Sequence, residues 1–192
     1  VTWAPHMYTD IGWKNFQAWI RAGFDNILFT PNAMVHATLT RLAFENLLHP
    51  FQPFALGQCY LAPRIAMEKN IRLIFYADSA AERGLGKKLK LDGSRIDHRL
   101  YSIESGQKPL IAGLSHEELA DHGIFQQDLI PYWPADLERL EHAGIQVHQL
   151  PYYINYDPQK MYYYAVEHTG FQPNPDGRSE GTYTKYSSLD DK

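Results

Sequence analysis

Apolar residues follow two alternating rhythms along the first part of the chain. Trp13, Phe16 and Ile20 recur at helical spacing behind Thr9 and Asp10, either of which can cap a helix, and Gly23 is placed to end it. The run Ile27-Leu28-Phe29-Thr30, closed by Pro31, predicts a short strand buried on both faces. Leu39, Leu42, Ala43 and Leu47 form the stripe of a second helix, ended by His49-Pro50. A third helix is predicted over about residues 58–69, leading into the core strand Ile71-Arg72-Leu73-Ile74-Phe75-Tyr76. Val1-Thr2-Trp3 reads as the end of a strand turning at Ala4-Pro5. This β-α-β-α-β alternation predicts an α/β fold, a doubly wound, mainly parallel sheet with ligands beyond the strands' carboxyl ends. Those ends are Trp3-Ala4-Pro5, Thr30-Pro31-Asn32 and Ala77-Asp78-Ser79.

The pattern changes after Gly84, where Lys87, Lys88, Lys90 and Asp92-Gly93-Ser94 read as a solvated connection. Order resumes with a capping box at Ser115 and Glu118. A helix is predicted with Pro134 in its first turn and its end near Gly144, then a strand at residues 145–148. Asp157-Pro158 starts one more helix, ending near Gly170. The expected organisation is a core at 1–84, an α/β insertion at 85–178, and a return to the core at 179–192.

At 192 residues and 44% hydrophobic, the chain has enough apolar surface to bury a core. A net charge of -4 leaves no basic surplus for a phosphate backbone, so nucleic acid is not expected as a partner. No apolar run reaches membrane-spanning length and residues 1–10 lack a signal peptide's pattern, so the cytoplasm is the expected compartment. With Cys59 the sole cysteine, neither an internal disulfide nor a cysteine zinc site is available. The abrupt start in a strand suggests a piece of a longer chain.

Candidate chemistry gathers at two stretches. Asp78 and Glu82 directly follow the strand at 71–76, where carboxylates can hold Mg²⁺ while phosphates supply further oxygens; the alternative is a helix cap and a solvated Glu. Gly181-Thr182-Tyr183-Thr184-Lys185 offers hydroxyls and an ammonium to phosphate oxygens, with Asp190 and Asp191 as metal-binding carboxylates, or else forms a polar surface turn. The nine histidines include no tight ligand pair, so they read as scattered surface or core residues, and Cys59 as a small buried side chain. Tyr152, Tyr153 and Tyr156, with residues 162–164 and Trp133, can stack on a sugar or base. They can equally form a compact core or an oligomer contact. No G-x-G-x-x-G, G-x-x-x-x-G-K-[ST] or G-x-S-x-G is present.

Four stretches, VTWAPHMYTDIGWKNFQAWIRAGFDNILFTPN, LTRLAFENLLHPFQPFALGQ, IRLIFYADSAAERG and EGTYTKYSSLDDK, taken together resemble the N-acetyl sugar amidotransferase family. These are PP-loop ATP pyrophosphatases (adenine nucleotide alpha hydrolase-like) of surface-polysaccharide biosynthesis. The resemblance covers residues 1–84 and 150–192 well and the insertion more loosely. It implies ATP-dependent adenylation of a sugar acetamido group and its conversion by ammonia to an acetamidino group, in lipopolysaccharide and O-antigen biosynthesis. The implied partners are a nucleotide-activated N-acetyl sugar and ammonia-supplying glutaminase and synthase-like subunits; a homo-oligomer is also open.

Asp78 to Glu82 and Gly181 to Asp190 also resemble two halves of a triphosphate-binding motif of related pyrophosphatases, the ammonia-dependent NAD synthetases among them. By that resemblance Asp78, Glu82 and Lys185 serve catalysis, Glu82, Asp190 and Asp191 hold Mg²⁺, and Thr182 and Lys185 bind phosphate. Thr2, Trp3, Ala4, Phe29 and Thr30 would line the adenosine pocket, and Tyr152, Tyr153 and Tyr183 would meet substrate. The sequence departs from the family by lacking its Ser-Gly-Gly-x-Asp-Ser-like loop and the upstream cysteines expected to hold zinc. Such a piece alone is expected to be inactive. The alternative is a Rossmann-like module that binds a nucleotide-sugar or a subunit without chemistry.

Overall fold

A computed structural model describes residues 1–5, 7–77, 95–104, 106–155 and 157–173. In chain order the elements are β1 (Thr2–Trp3), α1 (Asp10–Arg21), β2 (Leu28–Phe29), α2 (Ala33–Leu47), α3 (Gln52–Lys69), β3 (Leu73–Tyr76), β4 (Ser102–Ile103), α4 (His116–Ala120), α5 (Gln126–Leu129), β5 (Ala135–Asp136), α6 (Leu137–His142), β6 (Gln146–Gln149) and α7 (Pro158–Thr169). The chain is a mixed α/β protein. Among the described residues its strands form three two-stranded parallel sheets, β1 with β2, β3 with β6 and β4 with β5.

The chain divides into two compact units, Val1–Phe29 with Asn155–Lys192, and Thr30–Ile154. This division does not follow the expected boundary at residue 84, because β3 and β6, from either side of it, pair with each other.

In the first unit, α1 begins where the Thr9 hydroxyl accepts from the Gly12 N–H at 3.0 Å, and ends before Gly23 at φ +97°. The predicted stripe is corrected: Trp13 and Ile20 are 45% and 38% exposed, and the buried positions are Gly12 and Asn15. Asn15 is a clasp. Its Nδ2 donates to the Gln172 carbonyl at 3.1 Å and its Oδ1 accepts the Gln172 N–H at 2.8 Å. The amide thus supplies the donor and acceptor that a neighbouring strand would have supplied. Helix α7, capped by Asp157 and closed by Gly170 at φ +75°, packs against α1 and delivers Gln172 to it. β2 is shorter than predicted and is not buried on both faces, since Leu28 is exposed and Phe29 half-buried.

The second unit is built around Ala66, Ile74, Ile96, Tyr101, Ala135, Leu140, Ile145 and Val147. Ile74 and Val147 lie in register on β3 and β6 and supply one apolar face, whereas Leu73 and Phe75 are each 48% exposed. A strand with one covered face therefore replaces the core strand expected at 71–76. Helix α2 starts at Asn32, whose side chain accepts from Met34 and Val35, and buries His36, Leu39, Leu42 and Ala43.

Helix α3 begins earlier than predicted, with Pro53 in its first turn, where a missing N–H costs nothing. It also contains Pro63, which cannot donate to the carbonyl of Cys59. The Tyr76 hydroxyl donates to that carbonyl instead, at 2.7 Å, fastening β3 to the helix at its weakest turn. Pro134, expected inside a helix, precedes β5; Asp136 caps α6, accepting from Arg139, and Gly144 at φ +64° follows the helix. The predicted Ser115 and Glu118 capping box is present.

Candidate functional site

The sequence places its chemistry beyond the ends of three strands; β1 and β2 pair with each other, whereas β3, expected in the same sheet, pairs with β6 in the other unit. Parallel pairing sets Thr2 opposite Leu28 and Trp3 opposite Phe29. The Ala4 N–H extends the ladder to the Phe29 carbonyl at 2.8 Å, and the Asn26 side chain donates to the Thr2 hydroxyl at 2.9 Å. Trp3 is buried against Phe29, with ring centroids 4.9 Å apart, and Ala4 is buried beside it. These groups hold the strands together and define the floor of the edge. Thr30, exposed, follows β2 directly. Asp78, Glu82, Thr182, Tyr183, Lys185, Asp190 and Asp191 lie outside the described residues.

Tyr152 and Tyr153 do not form a compact core: they are 65% and 52% exposed. The Tyr153 hydroxyl lies 2.6 Å from His148 Nδ1, and its ring stands edge-on to Phe75 at 5.7 Å, so β3, β6 and the following 3-10 turn (Leu150–Tyr152) carry one aromatic cluster. The tyrosines of α7 are separate from it in the other unit, with Tyr162 edge-on to Phe171.

One cavity, of about 250 Å³, was not anticipated from the sequence. Ile103, Gln107, Lys108, Pro109, His116, Gln126, Trp133 and Pro134 line it. They come from β4, the loop at 107–109, the first residues of α4 and α5, and the pair preceding β5, and the capping box at Ser115 is what fixes His116 at the start of α4. Trp133 Nε1 is buried without a hydrogen-bond partner, and the ring stands edge-on to His116 at 6.5 Å. His116 Nδ1 is also buried and forms no hydrogen bond, although Glu117 Oε2 approaches it to 2.8 Å outside bonding geometry. At the rim the Lys108 ammonium reaches Glu117 at 3.1 Å and His116 Nε2 at 3.3 Å. A hydrogen bond from its own backbone N–H, then the Lys108 ammonium, hold the Glu117 carboxyl below the usual carboxylate range. The sequence signal for the cavity was a Trp-Pro pair near a capped helix, which by itself specifies no site.

A second buried polar pair is structural. His36 Nδ1 and the Tyr132 hydroxyl are 2.8 Å apart, and burial pushes the Tyr132 phenol well above its ordinary pKa. Among the described residues no three His, Cys, Asp or Glu side chains group as metal ligands, and no helix is long and apolar enough to cross a membrane. No protein-family model matches this chain, and no curated protein matches it.

Proposed function

We propose that this chain is part of an ATP-dependent amidotransferase of the PP-loop superfamily. The reaction converts the acetamido group of a nucleotide-activated sugar to an acetamidino group in lipopolysaccharide and O-antigen biosynthesis. The amide oxygen attacks the α-phosphorus of ATP and pyrophosphate leaves; ammonia then adds to the activated carbon and AMP is expelled. The need for activation is chemical, because an amide carbon is a poor electrophile until its oxygen becomes a leaving group. Glu82, Asp190 and Asp191 would hold Mg²⁺, which neutralises charge on the departing pyrophosphate, and Thr182 and Lys185 would bind its oxygens.

The four-stretch resemblance supports this reading. Of the residues assigned to the adenosine pocket, Thr2, Trp3, Ala4 and Phe29 lie in one unit with the Asn15–Gln172 clasp, and the resemblance is what carries the reading. A doubly wound PP-loop sheet is proposed as the architecture of the complete enzyme, with ammonia supplied by glutaminase and synthase-like partner subunits.

In the complete enzyme, Glu82→Gln should abolish pyrophosphate release while circular dichroism stays unchanged; wild-type turnover would remove Glu82 from the metal site. Lys185→Ala should weaken ATP binding in titration calorimetry, and equal affinity would overturn its phosphate role. A second reading is a Rossmann-like module that binds a nucleotide-sugar or a subunit without chemistry. Nucleotide-sugar binding without pyrophosphate release from the complete protein would favour that module.

A further inference from the structure

We propose that the cavity lined by Trp133, His116, Gln107 and Gln126 binds a single neutral saccharide ring. The proposal rests on the cavity itself and does not depend on the ATP chemistry.

Size sets the first limit. About 250 Å³ lies just below the range of pockets that hold drug-sized ligands, so it suits one substituted ring. Chemistry sets the second. Ile103, Pro109, Pro134 and the Trp133 ring give apolar walls, while Gln107 and Gln126 each bring an amide donor and acceptor. Trp133 Nε1 is buried and lacks a hydrogen-bond partner, whereas His116 Nδ1 has the Glu117 carboxylate 2.8 Å away. Filling the space with a purely apolar molecule would leave the indole N–H unsatisfied, which is unfavourable for a buried donor. A ligand with hydroxyls around an apolar ring face offers the indole N–H an acceptor and still covers the walls.

Charge sets the third limit. Lys108 is the lining residue with a fixed positive charge, and it already reaches the Glu117 carboxylate at 3.1 Å. The rim therefore carries a compensated pair, with no surplus to attract an anion. Neutral, polyhydroxylated and single-ringed is the combination that meets all three limits.

The test is fluorine NMR of the chain labelled with 5-fluorotryptophan, without nucleotide, so that failure of the ATP reading leaves the result unaffected. The sequence has four tryptophans, and the Trp133 resonance is identified by its loss in Trp133→Phe. Glucose and N-acetylglucosamine serve as neutral probes, glucuronate as the anion and cyclohexanol as the apolar control. We expect the neutral sugars to move the Trp133 signal saturably while Trp3, Trp13 and Trp19 stay in place. Gln126→Ala, at an exposed helix position, should weaken that response about fivefold, the loss of one hydrogen bond of about 1 kcal/mol. A Trp133 signal unmoved by both neutral sugars overturns the proposal. So does a response to glucuronate alone or to cyclohexanol alone.

Discussion

Removing the Asn15 side chain should loosen the C-terminal part of the first unit and nothing in the second. Asn15 is 8% exposed and makes two hydrogen bonds to one backbone residue, Gln172, at 3.1 and 2.8 Å. Each is worth about 0.5–1.5 kcal/mol net. Gln172 itself is exposed, so in Asn15→Ala its N–H and carbonyl recover water and the full penalty for an orphaned group does not apply. The expected loss is therefore about 1–2 kcal/mol, a factor of about 5–30 in the local opening equilibrium.

Hydrogen exchange followed by mass spectrometry reads this directly. Peptides over 158–173 should exchange about 5–30 times faster in the variant, and those over β3 and β6 should keep their rates. Asn15→Asp is the useful second variant, because it retains an acceptor for the Gln172 N–H and loses the donor, and should lie nearer wild type. Unchanged exchange over 158–173 in Asn15→Ala would show that the clasp does not hold α7 to α1, and equal acceleration in both units would show that the two are not separate.

Three further outcomes are expected. Tyr132→Phe keeps the buried ring but removes the hydroxyl 2.8 Å from His36 Nδ1; denaturant unfolding should show a loss of about 1–3 kcal/mol, and wild-type stability would refute the bond's contribution. Leu140→Ala opens a cavity in the fully buried core of the second unit and should cost about 2–5 kcal/mol by the same assay; a loss under about 1 kcal/mol would mean that the site collapses around the deletion. The Asp157 carboxyl is held below its ordinary value of 3.8, chiefly by the Lys160 backbone N–H and further by the Lys160 ammonium. A depressed folded-state value means its stabilisation is present above 3.8 and lost as pH falls through the lower folded value. Exchange over 158–169 should accelerate there, and Asp157→Asn should flatten that dependence; an unchanged pH profile in the variant would remove Asp157 as the cause.

Features set by neighbouring residues were legible in the sequence. The Thr9 cap, the Ser115 and Glu118 box, the Asp157-Pro158 start and the glycine at 170 each act within one turn of chain, and the structure has all of them. Pairing across distance was not. Nothing in residues 71–76 announces that β3 aligns with β6, and helical spacing at Trp13 does not say which face is covered, because a buried asparagine clasping Gln172 outranks the aromatic stripe. Proline was an uneven guide: Pro134, expected in a helix's first turn, precedes β5 instead. His49-Pro50 does mark the break after α2, but α3 opens at once with Pro53 in its first turn, and Pro63 survives inside it because Tyr76, thirteen residues on, occupies the freed carbonyl.

The candidate site divides in the same way. Residues 2–4 and 28–29 were recognisable as strand ends because a short apolar run closed by proline is a local signal. The cavity at Trp133 gathers residues from 103 to 134, and their convergence depends on how β4, α4 and α5 pack. No single spacing encodes it.

The nucleotide account is tested most directly by paramagnetic broadening with Mn²⁺ and ATP added to the isotope-labelled protein. It predicts that amide signals from residues 77–84 and from 181–191 broaden together, and only when both are present. Broadening confined to one of those segments, or absent from both, would contradict it.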